Sequence, residues 1–297
     1  MIQFIRFLLI VLPTLSSIAQ GAFCTLDDIR DKNVAQTHCD CRPHVDQCTP
    51  VQGCFTCGLE IKKKCTHGGL SEKCYVGCTD KDWNTKGCGI WYHTLCNELQ
   101  LCLKGNPSCQ TSTQIKKGGG MSWIVLPEGN DPLVTTTDLL PGILEMAHNS
   151  GRYGGAFDFA QEKYDPTKQA LALNSVRSRT MEQFHIHMCP KPQKGTKILK
   201  RLEKATPTSY MKYIPTLNPG DPNLWCLGVK GKGPIKNFVE TIGKELAQLA
   251  KIDPKTQKPF ICEGLASAAI IQDGHLNTWG CISENKDGPI GDFCDLP

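Results

Sequence analysis

Two histidines one residue apart, His185 and His187, are the side chains of this chain best placed to do chemistry. They stand in Gln183-Phe184-His185-Ile186-His187-Met188-Cys189, where polar and apolar residues alternate. A strand sends successive side chains to opposite faces. Gln183, His185 and His187 therefore share one face, and Phe184, Ile186 and Met188 share the other, as core residues. Upstream stand Asn174, Ser175, Arg177, Ser178, Arg179 and Thr180. Arginines with small polar neighbours are the residue types that hold phosphate oxygens. The combination points to phosphoryl or nucleotidyl chemistry. A neutral imidazole can attack phosphorus and split hydrolysis into two displacements through a phosphoramidate. Arg179 and neighbouring lysines can carry the phosphate charge without a metal or other cofactor.

Other chemistries fit less well. His-x-His on a strand is also zinc geometry. Metallo-hydrolases of that kind continue with an acid and a further histidine, whereas Met188-Cys189-Pro190 follows here and the nearest carboxylate is Glu182. A phosphodiesterase with paired His-x-Thr/Ser motifs needs a second histidine pair, which the sequence lacks. Two structural histidines held by core hydrogen bonds remain an open reading, against which the arginines weigh.

The stretch Asn174-Ser175, Arg179-Thr180 and His185-Ile186-His187 resembles, in order and spacing, the motif of the histidine-triad (HIT-like) superfamily in its CDP-diacylglycerol pyrophosphatase branch. The resemblance covers about residues 115–297, most strongly 170–190, with weaker similarity in the Met121 to Leu126 and Gly264 to Ile271 strands. It implies a HIT-like α+β fold with an antiparallel sheet. It also implies cleavage of a nucleotide–lipid such as CDP-diacylglycerol, or of a related nucleotide diphosphate, through a nucleotidyl-histidine intermediate. On this pattern His185 is the nucleophile and His187 bonds a phosphate or bridging oxygen. Asn174, Ser175, Arg179 and Thr180 help to bind the phosphates, and Arg177 joins them by proximity only. Gln183 departs from the pattern, standing where the first triad histidine belongs. Its amide still donates and accepts hydrogen bonds, but the loss puts efficiency in doubt.

The elements that must position these residues follow from periodicity and punctuation. Trp123-Ile124-Val125-Leu126 reads as a buried strand ending at Pro127. Thr137-Asp138 can cap a helix running to about Asn149, with Gly151 beyond it. Ala156 to Tyr164 reads as a short helix, Ala170 to Asn174 and Gln183 to Cys189 as strands. Phe238, Val239, Ile242, Leu246 and Leu249 fall at helical spacing within Lys236 to Lys251. Gly264 to Ile271, a turn at Asp273-Gly274, and His275 to Cys281 predict a hairpin. Strands and helices mixed in this way predict an α+β domain on an antiparallel sheet.

Composition separates that domain from what precedes it. Of 18 cysteines in 297 residues, thirteen lie between Cys24 and Cys109 and five follow. The N-terminus carries Arg6, an apolar run from Phe7 to Leu12, and small residues at Ser17-Ile18-Ala19 and Gln20-Gly21-Ala22. That is the pattern of a cleavable secretory signal, here residues 1–22. A secreted chain oxidises its thiols, so residues 23–112 read as a small disulfide domain whose partner the sequence does not name. On the same ground Cys54-Phe55-Thr56-Cys57 reads as staple rather than zinc or redox motif. Thirteen and five are both odd, so full pairing requires a bridge between the two regions. Thr111 to Gly120, polar and then glycine-rich, reads as the linker, with the HIT-like domain at 113–297.

The formal charge of +4 is too small for an obvious nucleic-acid binder. Between Lys191 and Lys258, however, fourteen basic residues face five acidic ones, favouring an anionic ligand or an anionic membrane surface. Two functions follow. One is a secreted pyrophosphatase; the other is a secreted binding or toxin-like protein built on a degenerate triad scaffold. Gln183 favours the second, and His185, His187 and Arg179 favour the first.

Overall fold

The computed structural model describes residues 63–67, 70–74, 110–116, 119–127, 131–136, 140, 142–175, 178, 184–249, 251, 261, 263–285 and 288–295, with side chains from Ser122 onward. Residues 1–22, where the sequence predicts a secretory signal, and most of the Cys-rich segment lie outside these residues. Within the latter, strands β1 (Lys63–His67) and β2 (Leu70–Cys74) pair as an antiparallel hairpin.

The rest is an α+β body. In chain order it comprises β3 (Gln110–Lys116), β4 (Gly119–Leu126), β5 (Leu133–Thr136), α1 (Ile143–His148), α2 (Ser150–Tyr153), α3 (Gly155–Lys163), β6 (Gln169–Leu173) and β7 (His185–Pro190). There follow α4 (Lys197–Lys204), β8 (Lys212–Tyr213), β9 (Asn223–Val229), α5 (Phe238–Leu249), β10 (Ala266–Gln272), β11 (Thr278–Glu284) and α6 (Ile290–Phe293). Strands β3 to β11 form one sheet in the order β3-β4-β5-β7-β6-β10-β11-β9-β8. Every neighbouring pair is antiparallel.

Both faces of the sheet are covered, which is why the central strands read as nearly continuous apolar runs. Val134, Leu171, Leu173, Ile186, Met188 and Ile270 face the helical layer, where Phe157, Phe238, Val239 and Ile242 meet them in one core. Gly243 of α5 lets the helices approach closely: a β-carbon there would come within 2.7 Å of the Ala147 carbonyl oxygen of α1. The opposite face carries Ala170, Ala172, Cys189, Ala269, Ile271 and Cys281, covered by Ile198 and Leu202 of α4 and by Phe293 of α6. His185 and His187 alternate with Ile186 and Met188, so they belong to this second face.

Several local expectations need correction. The polar stretch Thr111 to Gly120 is not a linker: it belongs to the β3–β4 hairpin at the edge of the sheet. Among the described residues the helix expected after Thr137-Asp138 begins at Ile143, beyond Pro141, which disfavours helical backbone at the residue before it. Gly151 does not end the helical region but sits in α2. The last hairpin has a five-residue connection, 273–277, because Gln272 pairs with Thr278. The Asp273 carboxylate makes that loop by accepting the His275 and Asn277 backbone N–H groups and the Trp279 indole N–H at 2.8 Å.

Two disulfides stitch the second face, Cys189–Cys294 and Cys226–Cys281. They consume four of the five C-terminal cysteines. The fifth, Cys262, lies outside the described residues, and the odd count falls on it. Full oxidation of the chain therefore requires Cys262 to join a cysteine of the N-terminal region.

Tyr164, at the end of α3, shows what burial does to a titratable group here. It is 9% exposed, and burial pushes its phenol up from 10.0 to about 12. Between those values the unfolded chain gives up the proton and the folded chain keeps it. Stability is thus unaffected below pH 10 and falls as pH rises towards 12, by about 2 to 3 kcal/mol. The Tyr164→Phe variant should lose that component of the alkaline decline, measured as the difference in urea midpoints between pH 9.5 and 11.5.

Candidate functional site

The two histidines stand at the start of β7, which is clamped on both sides. Phe184 N–H donates to the Leu140 carbonyl at 2.6 Å. The Thr135 hydroxyl donates to the Phe184 carbonyl at 2.6 Å. Register then sets the neighbours: Thr135 of β5 lies opposite His185, while Leu133 of β5 and Ala172 of β6 lie opposite His187. Ala172 is a small residue beside the imidazole, so the sheet does not crowd the ring.

His185 is 4% exposed. Its ring meets that of His187 edge to face, with centroids 5.0 Å apart and planes at 69°. His187 is the more open of the two, its side chain 13% exposed. Its two nitrogens have separate partners. Nδ1 lies 2.6 Å from Asp131 Oδ2, and Nε2 lies 3.4 Å from Asn174 Nδ2. An amide nitrogen only donates, so Nε2 is the acceptor and the ring proton sits on Nδ1, facing the carboxylate. The other end of the Asn174 amide, Oδ1, accepts the Ser178 hydroxyl at 3.3 Å.

Asn174 reaches this place from the end of β6, where the chain turns. Ser178 N–H donates to Ser175 Oγ, and Ser175 N–H donates to Ser178 Oγ, each at 3.1 Å. The two hydroxyls are 2.9 Å apart. This reciprocal Ser–Ser turn is the local-structure reason for an Asn-Ser pair just ahead of the arginines. It is closed from outside by Gly288, whose φ is +82°. A β-carbon at Gly288 would come within 2.5 Å of Ser178 Oγ and 3.0 Å of Asn174 Oδ1. We expect Gly288→Ala to cost about 1 to 3 kcal/mol through backbone strain and overlap. It should also displace Asn174 from His187. A thermal melt and a turnover assay on the same preparation should show both losses, and activity unchanged at full stability would separate the loop from the site.

Of the residues the sequence singles out, Asn174, Ser175, His185 and His187 come together here. Arg177, Arg179, Thr180 and Gln183 lie outside the described residues. Asp131 is the residue that sequence reasoning missed. In Gly129-Asn130-Asp131-Pro132 it looks like a turn residue. It reaches the histidine only because Pro132 leads into β5 and the Pro132 carbonyl accepts the Met188 N–H of β7 at 2.8 Å. The signal is a strand pairing over 56 residues, which a single sequence does not display. Among the described residues, no group of three or more His, Cys, Asp or Glu is arranged to hold a metal ion.

The arrangement offers two adjacent imidazoles, one with its tautomer set, beside a polar turn that can present donors. That is enough for nucleophilic attack and proton transfer at one centre. Compared with models of known protein families and with curated proteins, the chain matches none.

Proposed function

We propose that this chain is a secreted hydrolase of HIT-like type. It cleaves the diphosphate bond of a nucleotide–lipid such as CDP-diacylglycerol, to CMP and phosphatidate, or of a related nucleotide diphosphate. The observation that carries this reading is the pair of imidazoles on one strand face, ring centroids 5.0 Å apart. His185 attacks the α-phosphorus, and water then hydrolyses the nucleotidyl-histidine. His187 serves the bridging or phosphate oxygen from the neighbouring position. Asn174 and Ser175 bind phosphate from the turn, joined by Arg179, Thr180 and Gln183 of the segment that leads into β7. The lysine excess between Lys191 and Lys258 favours an anionic substrate or the anionic membrane that carries it.

The test is a screen of the mature protein against nucleotide diphosphate compounds and CDP-diacylglycerol, with cleavage products identified by mass spectrometry. Cleavage of none of them, with retained nucleotide binding, would favour the degenerate-scaffold reading that Gln183 raises. The charge on the phosphates is assigned to arginine and lysine rather than to a divalent ion. Turnover should therefore persist in EDTA; loss in EDTA and recovery with zinc would reject that assignment.

A further inference from the structure

We infer that Asp131 is a positioning residue, which holds the His187 proton on Nδ1 and so presents Nε2 as the nitrogen that exchanges a proton with substrate. The inference rests on the hydrolase reading above and assigns a residue from outside the histidine segment. Three observations converge on it. The Asp131 carboxylate lies 2.6 Å from Nδ1. The Asn174 amide nitrogen lies 3.4 Å from Nε2, with its Oδ1 accepting the Ser178 hydroxyl, so in the neutral ring Nε2 is the acceptor. Asp131 Oδ1 is buried with no hydrogen-bond partner among the described residues. A buried carboxylate oxygen without a partner is a cost to the fold. A carboxylate serving only the fold gains nothing from that arrangement, whereas one aimed at a single nitrogen fixes a tautomer.

Substrate enters with His185 neutral and with His187 carrying a second proton on Nε2, which has exchanged its contact with the Asn174 amide for one with the bridging oxygen. A lone pair of His185 forms the bond to the α-phosphorus, and the bond from that phosphorus to the bridging oxygen breaks. The Nε2 proton of His187 goes to that oxygen, and the phosphate monoester leaves. His187 is then neutral, its remaining proton on Nδ1 against Asp131. Water attacks the phosphorus, its proton passes to Nε2, and the bond to His185 breaks. Both histidines return to their starting states, with no oxidant or metal in the balance. Without Asp131, the neutral ring of the intermediate could carry its proton on Nε2. Water would then lose its acceptor.

The test uses the mature protein labelled with 15N-histidine, and His187→Gln to assign the resonances. Long-range 15N–1H correlation spectra report directly which nitrogen bears the proton. Neutral wild-type His187 should be the Nδ1–H form, and Asp131→Ala should shift it to a mixture or to Nε2–H. Asp131→Asn, nearly equal in volume, guards against a folding failure and should show the same loss. Turnover of the substrate found in the screen should drop about 100-fold or more in both variants. Under acid quench, nucleotidyl-protein should accumulate, because the second displacement slows. An unchanged His187 tautomer in both variants would overturn the inference, as would a changed tautomer with undiminished turnover. If the wild type cleaves nothing, the hydrolase reading fails, and the spectra still decide whether Asp131 sets the tautomer.

Discussion

Replacing His185 with alanine should reduce turnover by on the order of 10³-fold or more, while the chain still folds. In the proposed mechanism this imidazole forms the covalent bond to phosphorus, while His187 is assigned to proton transfer. The structural cost is smaller. His185 is buried, but it lies on the face opposite Phe184, Ile186 and Met188, which anchor β7 in the larger core. Deleting it should cost about 1 to 3 kcal/mol. The backbone clamps from Leu140 and Thr135 do not involve the ring. Rapid quench with a radiolabelled nucleotide should show protein-bound label in the wild type and none in the variant. His187→Ala should instead lower the rate and allow label to accumulate. Label mapped to His187, or turnover retained in His185→Ala, would assign the attack to the wrong ring.

Arg201→Ala should destabilise the fold by about 3 to 5 kcal/mol without touching the histidines. Arg201 is 2% exposed. Its guanidinium donates to three backbone carbonyls, those of Pro215 at 3.1 Å, Pro222 at 2.8 Å and Ile214 at 2.6 Å. Those groups frame the 214–222 loop that carries the chain from β8 into β9. Burial lowers the guanidinium pKa, and Asp221 acts against that shift. Truncation leaves three carbonyls without their donor, that of Ile214 in a buried position. Lysine cannot substitute, since one ammonium does not span the fork. Urea denaturation should show Arg201→Lys nearly as weak as Arg201→Ala. A loss below about 1 kcal/mol would mean that water or another donor reaches the loop.

How much of this was visible in the sequence depended on range. Phe238, Val239, Ile242 and Leu246 are buried as their 3.6-residue spacing requires. The alternation around His185 gave the correct faces, because period-two patterning is a local property. What failed involved punctuation that tertiary pairing overrode. Lys116 pairs with Gly119 in a hairpin at the sheet edge where the polar run suggested a linker, and Asp273 gathers a five-residue loop where Asp-Gly suggested two. The site was half legible. Asn174 and Ser175 stood out by type, yet their reason, the reciprocal hydroxyl turn with Ser178, needed coordinates. Asp131 was invisible because its partner is set by how β5 lies beside β7.

The Cys189–Cys294 bridge also decides how the molecule bears load. A pull on the C-terminus does not first peel β11 from the sheet. It enters through Cys294 and is delivered to β7, which is hydrogen-bonded on both sides within the sheet. The 105-residue span between the two cysteines is bypassed, hiding about 350 Å of contour length from an extending force. Under reducing conditions that length returns, and the strand carrying both histidines ceases to be the point where tension is received.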